Sequence, residues 1–324
     1  MGDGAGIKAP KTLADVSHLF FSTVEEAGDA VRVREVPERL DGPADDEERG
    51  RWRRTRTFVV TGGSGGPGKS TVAVNLATAL TARGCTGLFD ADPKLPNARF
   101  YLGLPSWHYL SPLPGGEPAP NTVTDSGLIV VDWASGEAPA DGPAPGGRAY
   151  VDVESAGRCG LDFAVIDAPI SRAEWIARVA SRVDCFLVVA RPGLEGFEEA
   201  FGALAVLARR AGVRQAFTAV NMIPDLGYAA SFHAKLSAVA ERLLSMEVVL
   251  LGAVVHEAGL GATQREHGPI VESRPDTAAA LLLRGMASNA LDDGSGDQAA
   301  SIEPGEVART EAQDEREARA HGAS

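Results

Sequence analysis

Seven short apolar runs along the middle of the chain constrain its fold more than any other feature of the sequence. Most are continuously apolar and rich in β-branched residues, which is typical of strands that are covered on both faces. They are TFVVTG (57–62), TGLFD (86–90), GLIVVDW (127–133), DFAVID (162–167), DCFLVVA (184–190), AFTAVN (216–221) and VVLLGAVV (248–255). Helical patterns fill several of the gaps between them. The sequence therefore predicts an α/β fold, a mostly parallel β-sheet flanked by helices.

Two of the intervening segments carry a clear helical stripe of apolar residues. The first stripe consists of Val72, Leu76 and Leu80, and the second of Phe197, Phe201, Leu204 and Leu207. The pair Arg83-Gly84 is expected to end the first helix. Asp276 is expected to cap a last helix that runs through LLLRGMA.

The stretch TGGSGGPGKST (61–71) joins the first predicted strand to the first predicted helix. Residues 63–70 fit G-x-x-x-x-G-K-[ST] in the strand–loop–helix context that this phosphate-binding loop, the P-loop, requires. Glycines let the backbone curl around phosphate oxygens, and the helix adds its positive end. Lys69 is expected to neutralise the β- and γ-phosphates, and the Ser70 hydroxyl to ligate Mg²⁺. The residues expected to bind the nucleotide here are Gly63, Ser64, Gly65, Gly66, Pro67, Gly68, Lys69, Ser70 and Thr71.

Polar residues follow or end three of the later strands. Asp90 and Asp92 lie two apart at one strand end, so both carboxylates are expected to face the phosphates. Asp167 ends another strand and suits a carboxylate that holds Mg²⁺ through a water molecule. Asn221 closes a third strand, where a side-chain amide can read a purine edge. One aspartate at a strand end is commonly a cap or turn residue, but four such residues in order after a P-loop favour a nucleotide site.

Over residues 57–290 the sequence resembles the MinD/ParA/Mrp superfamily of deviant P-loop ATPases. The similar segments are GGPGKSTVAVNLATALTARG, LFDADPKLPNARFYLGL, LDFAVIDAPI, VNMI and LLGAVVHEAGLGATQREHGPIVESRPDTAAA. The resemblance implies the P-loop NTPase fold, with ATP and Mg²⁺ as cofactors. It also implies a nucleotide-dependent homodimer that hydrolysis releases, and a role in cellular positioning or partitioning with an unknown protein partner or cargo.

The resemblance assigns roles to individual residues of this chain. It implies that Lys69 binds phosphate, that Ser70 and Asp167 serve Mg²⁺, that Asp92 orients or deprotonates the attacking water, that Asp90 supports the metal and the switch region, and that Asn221 reads adenine. The catalytic group implied in this way is Asp92, Asp90 and Lys69.

The P-loop departs from the family pattern at Ser64, the residue that follows Gly63. The family has K-G-G-x-G-K-[ST], whose first lysine reaches the phosphates of the partner subunit, whereas this chain has Ser64. A hydroxyl has neither the reach nor the charge of that lysine, and Pro67 removes one backbone N–H from the loop. We therefore expect Mg-dependent ATP hydrolysis to be weak or partner-stimulated, with Lys94 or an arginine as candidate replacements. A nucleotide-bound scaffold that does not hydrolyse ATP is the alternative.

A second alternative is an iron–sulfur carrier of the Mrp type, which GKSTVAVNLA and HGPIVESRPDTAAA resemble. Those carriers use a CxxC pair, and this chain has none. Its three cysteines, Cys85, Cys159 and Cys185, are far apart, and each lies in or beside an apolar run. They are expected to be small core residues in a reduced protein rather than cluster ligands.

Composition divides the chain into three parts. Residues 1–54 are polar and are expected to form a largely flexible N-terminal extension with a short amphipathic segment, KTLADVSHLFFSTVEEA. Residues 55–291 are the predicted P-loop ATPase domain. Residues 292–324 hold nine acidic residues and no aromatic residue, which predicts a disordered acidic tail.

The charge and hydropathy of the chain bear on its partners. A net charge of −13 argues against attraction of the whole protein to nucleic acid or anionic lipid. RGRWRRTR (residues 49–56), from Arg49 to Arg56, could contact nucleic-acid phosphates. A solvated arm that balances the preceding DDEE is the favoured interpretation. With no signal peptide and no apolar run near the ~20 residues of a membrane span, the protein is predicted to be cytoplasmic and without a transmembrane segment.

Overall fold

The computed structural model describes residues 55–63, 66–92, 97–104, 122–132 and 161–291. All of them belong to the segment predicted as the ATPase domain. The predicted N-terminal extension and acidic tail lie outside the described residues, as does the arginine-rich stretch except for Thr55 and Arg56. The predicted domain boundaries therefore stay predictions.

The described residues contain eight strands in one sheet. They are β1 (Arg56–Gly62), β2 (Thr86–Asp90), β3 (Thr122–Val123), β4 (Ile129–Asp132), β5 (Phe163–Asp167), β6 (Cys185–Ala190), β7 (Gln215–Ile223) and β8 (Glu247–Val255). Their order across the sheet is β3-β4-β2-β5-β1-β6-β7-β8. Every neighbouring pair is parallel except β3 and β4, which are antiparallel. All seven predicted strands are confirmed, and β3 was not predicted because two residues carry no periodic pattern.

Helices cover both faces of this sheet. The described helices are α1 (Lys69–Leu80), α2 (Ala98–Tyr101), α3 (Ala173–Val179), α4 (Gly193–Arg210), α5 (Leu226–Leu244), α6 (Leu260–His267), α7 (Ile270–Ser273) and α8 (Ala278–Asn289), with short 3-10 turns at Ile170–Arg172 and Ala180–Arg182. The predicted α/β architecture with flanking helices is confirmed. The apolar stripes expected in α1 and α4 also lie within those helices.

Alternation along the strands divides the core into two layers. Val59 of β1 belongs to the core layer that contains the buried residues of α3, α4 and α5, whereas its neighbour Val60 belongs to the layer that contains those of α1 and most of those of α8. Ile166 and Val165 of β5 divide in the same way. Because successive side chains of a strand point to opposite faces, a continuously apolar strand buries both of its faces. The continuous apolar runs of the sequence follow from this arrangement.

Two local expectations are wrong. The last helix is capped by Thr277 rather than Asp276, since the Thr277 hydroxyl accepts a hydrogen bond of 3.3 Å from the backbone N–H of Ala280. Cys85 is exposed rather than buried, because it lies where the chain enters β2 from the surface. Cys185 is buried in β6 as expected, and Cys159 lies outside the described residues.

Asn75 joins α1 to α7 from a fully buried position. Its amide nitrogen donates to the Thr71 carbonyl at 2.8 Å, and its amide oxygen accepts from the backbone N–H of Val271 at 3.1 Å. The helix that follows the P-loop is thereby tied to the segment just before α8. A buried backbone N–H without an acceptor carries a full desolvation penalty, so this contact matters for stability.

We predict that Asn75→Ala lowers the free energy of unfolding by about 1–3 kcal/mol, because it leaves the buried Val271 N–H without a hydrogen-bond acceptor. Urea denaturation followed by circular dichroism measures this loss. Gln215→Ala is the control, since its exposed amide donates to the Glu247 carboxylate at 2.9 Å and water can replace this partner. Its expected loss is below about 1 kcal/mol. Equal losses in the two variants would contradict the role given to Asn75.

Candidate nucleotide-binding site

The P-loop connects the end of β1 to the start of α1, as the sequence predicts. Gly63, Gly66, Pro67 and Gly68 are described, whereas Ser64 and Gly65 lie outside the described residues. Gly68 precedes α1 with a φ of 85°, and a Cβ atom there would lie 2.2 Å from the amide nitrogen of Asn221. Only glycine combines this left-handed backbone with so close a neighbour.

Lys69 folds back over the loop. Its Nζ atom donates a hydrogen bond of 2.9 Å to the carbonyl of Gly63, which places the ammonium group beside the backbone that the motif predicts to surround phosphate. The first turn of α1 contains no acidic residue, so no carboxylate of that turn offsets the partial positive charge at the N-terminus of the helix. The loop, the helix end and the lysine together fit an anionic group.

The register of the sheet places two carboxylates side by side next to the P-loop. Asp90 at the end of β2 is paired with Asp167 at the end of β5, and Asp167 is also paired with Val60 of β1. Both aspartates are only 3% exposed. Burial, with a further contribution from the nearby Asp167 charge, raises the pKa of Asp90 to about 7.

Ser70 and Asp167, the two predicted magnesium ligands, are neighbours at the P-loop. Burial raises the pKa of Asp167 to about 6, and the nearby Ser70 hydroxyl and the Lys69 charge partly oppose this rise. Among the described residues, no group of three or more His, Cys, Asp or Glu side chains is placed to hold a metal ion. A hydroxyl and one carboxylate suit Mg²⁺, which commonly completes its coordination with phosphate oxygens and water.

Asp90 and Asp92 have different surroundings. The Asp90 carboxylate accepts backbone hydrogen bonds from Asp92 at 3.1 Å and from Ala98, the first residue of α2, at 2.9 Å. Asp92 is half-buried, and its charge acts on the ionisation of Asp167 and Arg172. Asp90 therefore bonds to the backbone just after β2 and at the start of α2, while Asp92 is the more accessible carboxylate.

Asn221 attaches β7 to the P-loop. Its amide nitrogen donates to the Pro67 carbonyl at 2.9 Å, from a side chain that is 4% exposed. The two residues are 154 positions apart in sequence, so no local pattern could have revealed this contact. The predicted reading of a purine edge stays a prediction, and the observed contact adds a second role, the positioning of the loop.

Two arginines near these strand ends were missed by sequence reasoning. Arg172 ends the 3-10 turn after β5, and its guanidinium donates to the Ala91 carbonyl at 3.1 Å. Arg191 directly follows β6 and pairs with Glu195 at 2.7 Å and Glu199 at 3.4 Å. Neither arginine belongs to a motif, and only the fold brings them to this edge of the sheet.

Comparison with known families agrees with this geometry. The family model CbiA, described as the CobQ/CobB/MinD/ParA nucleotide binding domain, matches residues 58–260. The chain therefore belongs to this family of nucleotide-binding domains, and the resemblance drawn from the sequence is confirmed.

Similar proteins include an antiactivator, a flagellum site-determining protein and iron–sulfur cluster carriers. The antiactivator FleN of Pseudomonas aeruginosa is 25% identical over 250 residues, which cover 74% of this chain and 88% of FleN. The flagellum site-determining protein YlxH of Helicobacter pylori is 25% identical over 260 residues, covering 74% and 85%. An iron–sulfur cluster carrier protein of Mycobacterium bovis is 28% identical over 248 residues, covering 72% of this chain and 64% of the carrier.

The fold is similar to that of MinD from Aquifex aeolicus. A chain of the MinC:MinD cell division protein complex aligns with a TM-score of 0.53 and 20% identity, covering 75% of this chain and 98% of that chain. This likeness shows the fold alone. Among the helices that the structure describes, none is both long and apolar enough to cross a bilayer.

We predict that the ligand-free protein loses stability as the pH rises from about 4 to about 7, the window between the ordinary pKa of an aspartate and the raised pKa of Asp90. A raised pKa means that the folded state binds the proton more tightly, so its stabilising effect is complete at low pH and lost through that window. Unfolding by urea without nucleotide or Mg²⁺, at about pH 5 and about pH 8, measures the difference.

Asp90→Asn removes the titrating group and is expected to reduce this pH dependence. Asp125→Asn, which changes an exposed aspartate in the turn before β4, is the control and keeps the wild-type difference. If Asp90→Asn retains the full wild-type pH dependence, the buried carboxylate is not its source.

Proposed function

We propose that this protein is an ATP-dependent switch of the MinD/ParA type that dimerises when it binds ATP with Mg²⁺ and is reset by slow or partner-stimulated hydrolysis. The observation that carries the proposal is the arrangement of Lys69, Ser70 and Asp167. The Lys69 ammonium group donates to the Gly63 carbonyl, and the Ser70 hydroxyl lies near the Asp167 carboxylate at the P-loop edge of a parallel sheet. Ligands of such sheets bind at the carboxyl ends of the strands.

The contacts of these side chains are ones that a nucleotide can take over. Lys69 can exchange the Gly63 carbonyl for phosphate oxygens, and the Ser70 hydroxyl and the Asp167 carboxylate are near enough to each other to serve one metal ion. When bound, Mg²⁺ would neutralise charge on the β- and γ-phosphates. The same positive charge favours the ionised form of Asp167, whose pKa burial raises. Binding of Mg²⁺ would therefore offset the unfavourable burial of the Asp167 carboxylate in the ligand-free site.

Asp92 and Asn221 complete the proposed site from opposite sides. The half-buried Asp92 carboxylate is placed near Asp167 and is suited to orient an attacking water molecule. Asn221 lies on the other side of β1, at the end of β7, where it holds the Pro67 carbonyl. The phosphates would thus lie between a carboxylate for hydrolysis and an amide for the base.

The process served is proposed to be cellular positioning. YlxH is named as a flagellum site-determining protein and FleN as an antiactivator, and each is matched over more than four-fifths of its length. MinD, whose fold this chain shares, occurs in complex with MinC, so a protein partner fits the proposal. We favour placement of a flagellum or a comparable assembly as the process.

The cysteines argue against the iron–sulfur alternative. Cys185 is buried in β6, and burial raises the pKa of its thiol far above the usual range. Cys85 is exposed, but it directly precedes β2, at the amino end of the strand, whereas the P-loop lies at the carboxyl ends. With no CxxC pair in the sequence, the resemblance to the carriers is better explained by the shared nucleotide-binding domain.

We predict that Lys69→Ala weakens ATP binding by at least about 100-fold, because a positive charge on the phosphates is lost. Titration with a fluorescent ATP analogue measures affinity, and light scattering measures dimerisation. Lys235→Ala, which changes an exposed lysine of α5, is the matched control and keeps wild-type binding. Undiminished binding in Lys69→Ala would overturn the proposed site.

Asp92→Ala and Ser64→Lys test the hydrolytic half of the proposal. We expect Asp92→Ala to bind ATP and dimerise while its turnover falls at least about 100-fold, since a water-orienting group is removed. Ser64→Lys is expected to raise turnover by restoring a cation to the loop. If the wild type dimerises with ATP but only Ser64→Lys hydrolyses it, the non-hydrolysing scaffold replaces the switch.

A further inference from the structure

The proposed site holds more negative than positive charge. The P-loop segment GGSGGPGKS contributes a single cation, Lys69, while the neighbouring strand ends contribute Asp90, Asp92 and Asp167. A bound triphosphate adds further negative charge, and phosphoryl transfer is accelerated chiefly by cations that face the transferred group. Mg²⁺ would offset part of this charge, and a second cation of the protein that faces the transferred group would add to its effect.

Arg172 lies where such a cation is needed. The chain leaves β5 after Asp167, and the turn Ile170–Arg172 is closed by a hydrogen bond of 3.0 Å from the Arg172 N–H to the Pro169 carbonyl. This turn brings the guanidinium to the Ala91 carbonyl, at 3.1 Å. Ala91 stands between Asp90, the last residue of β2, and Asp92.

Ala91 is itself fixed to the end of β5. Its backbone N–H donates to the Asp167 carbonyl at 2.8 Å, so the guanidinium lies at the junction of β2 and β5. Asp92, the proposed water-orienting carboxylate, is close enough for its charge to act on Arg172. The ring of Trp175, 5.8 Å from the Arg172 Cζ atom, supports the guanidinium from the side of α3.

We propose that Arg172 contacts the γ-phosphate and supplies the charge compensation that the P-loop of this chain lacks. This inference rests on the proposed function. Burial lowers the pKa of Arg172, and the Asp92 charge opposes that effect, but an arginine remains charged at neutral pH in either case. Its planar group can hold the Ala91 carbonyl and a phosphate oxygen at the same time.

The competing cation is Arg191. It lies on the other side of β1, and its charge is matched by two carboxylates of α4, Glu195 and Glu199. Glu199 also packs against Gly63, where a Cβ atom would lie 2.3 Å from the Glu199 Cβ atom. Arg191 is thus engaged on the side of the P-loop away from Asp92 and Asp167. Lys94 lies outside the described residues.

Full-length Arg172→Met tests the proposal, because methionine keeps an apolar chain over Trp175 and removes the charge. Titrations with fluorescent ATP and ADP analogues in Mg²⁺ give the two affinities, and a single-turnover assay gives the hydrolysis rate. We expect ADP affinity to stay within about twofold, the preference for ATP over ADP to fall about tenfold, and hydrolysis to fall about 100-fold. Arg172→Lys is expected to retain part of the ATP preference and part of the hydrolysis rate. Arg209→Met, which changes an exposed arginine in the last turn of α4, is the control and is expected to leave all three quantities unchanged.

The other possible results of these measurements can be told apart. If Arg172→Met keeps the ATP preference and the hydrolysis rate, or if Arg191→Met loses them instead, Arg172 is not the missing cation. If folded Arg172→Lys loses as much as Arg172→Met, charge is not what the residue supplies. If the wild type binds ATP without hydrolysing it, the ATP-to-ADP affinity ratio is the test: an unchanged ratio in Arg172→Met contradicts the role of Arg172, and a lower ratio supports it. If the wild type binds neither nucleotide, the proposed function itself is wrong.

Discussion

The pairing of Asp90 with Asp167 across two parallel strands is the constraint on which the rest of the site depends. Both carboxylates are buried, and burial and mutual repulsion raise the pKa of Asp90 while burial raises that of Asp167. The surrounding contacts reduce the free-energy cost of ionising these two buried carboxylates. Asp90 accepts two backbone N–H groups, and Asp167 has the Ser70 hydroxyl and the Lys69 charge beside it. The arrangement favours a state in which further positive charge is bound at this edge.

The described residues of the P-loop are contacted by a side chain of the loop itself and by side chains from distant parts of the chain. Asn221 of β7 binds the Pro67 carbonyl, Lys69 binds the Gly63 carbonyl, and Glu199 of α4 packs against Gly63. These contacts place loop carbonyls under side-chain donors before any nucleotide arrives. A loop fixed in this way needs less ordering when it binds phosphate, which is how preorganisation adds affinity.

Sequence reasoning succeeded where the signal is local. The seven strands, α1, α4 and the P-loop were predicted because apolar periodicity and glycine spacing are properties of neighbouring residues. Helix α5 could also have been found, since Ala229, Phe232, Leu236, Ala240 and Leu244 form a buried stripe. The strand β3 is too short to carry a pattern. Asp276 and Thr277 are both residue types that commonly cap helices, and only the backbone position at which α8 begins shows that Thr277 is the cap. The Asp90–Asp167 register, the Asn221–Pro67 contact and the position of Arg172 arise from tertiary structure, so no spacing in the sequence encodes them.

In the proposed switch, the source of the compensating charge would determine what controls hydrolysis. A lysine in the P-loop that reaches a partner subunit would make hydrolysis depend on dimerisation. An arginine in the turn after Asp167 would make it depend on the conformation of that turn, because Arg172 contacts the Ala91 carbonyl and packs on Trp175. The Ala91 N–H is bound to the Asp167 carbonyl, so any shift of β2 relative to β5 moves the guanidinium relative to the phosphates. A partner that binds near α3 could therefore change the rate of hydrolysis without contacting the nucleotide.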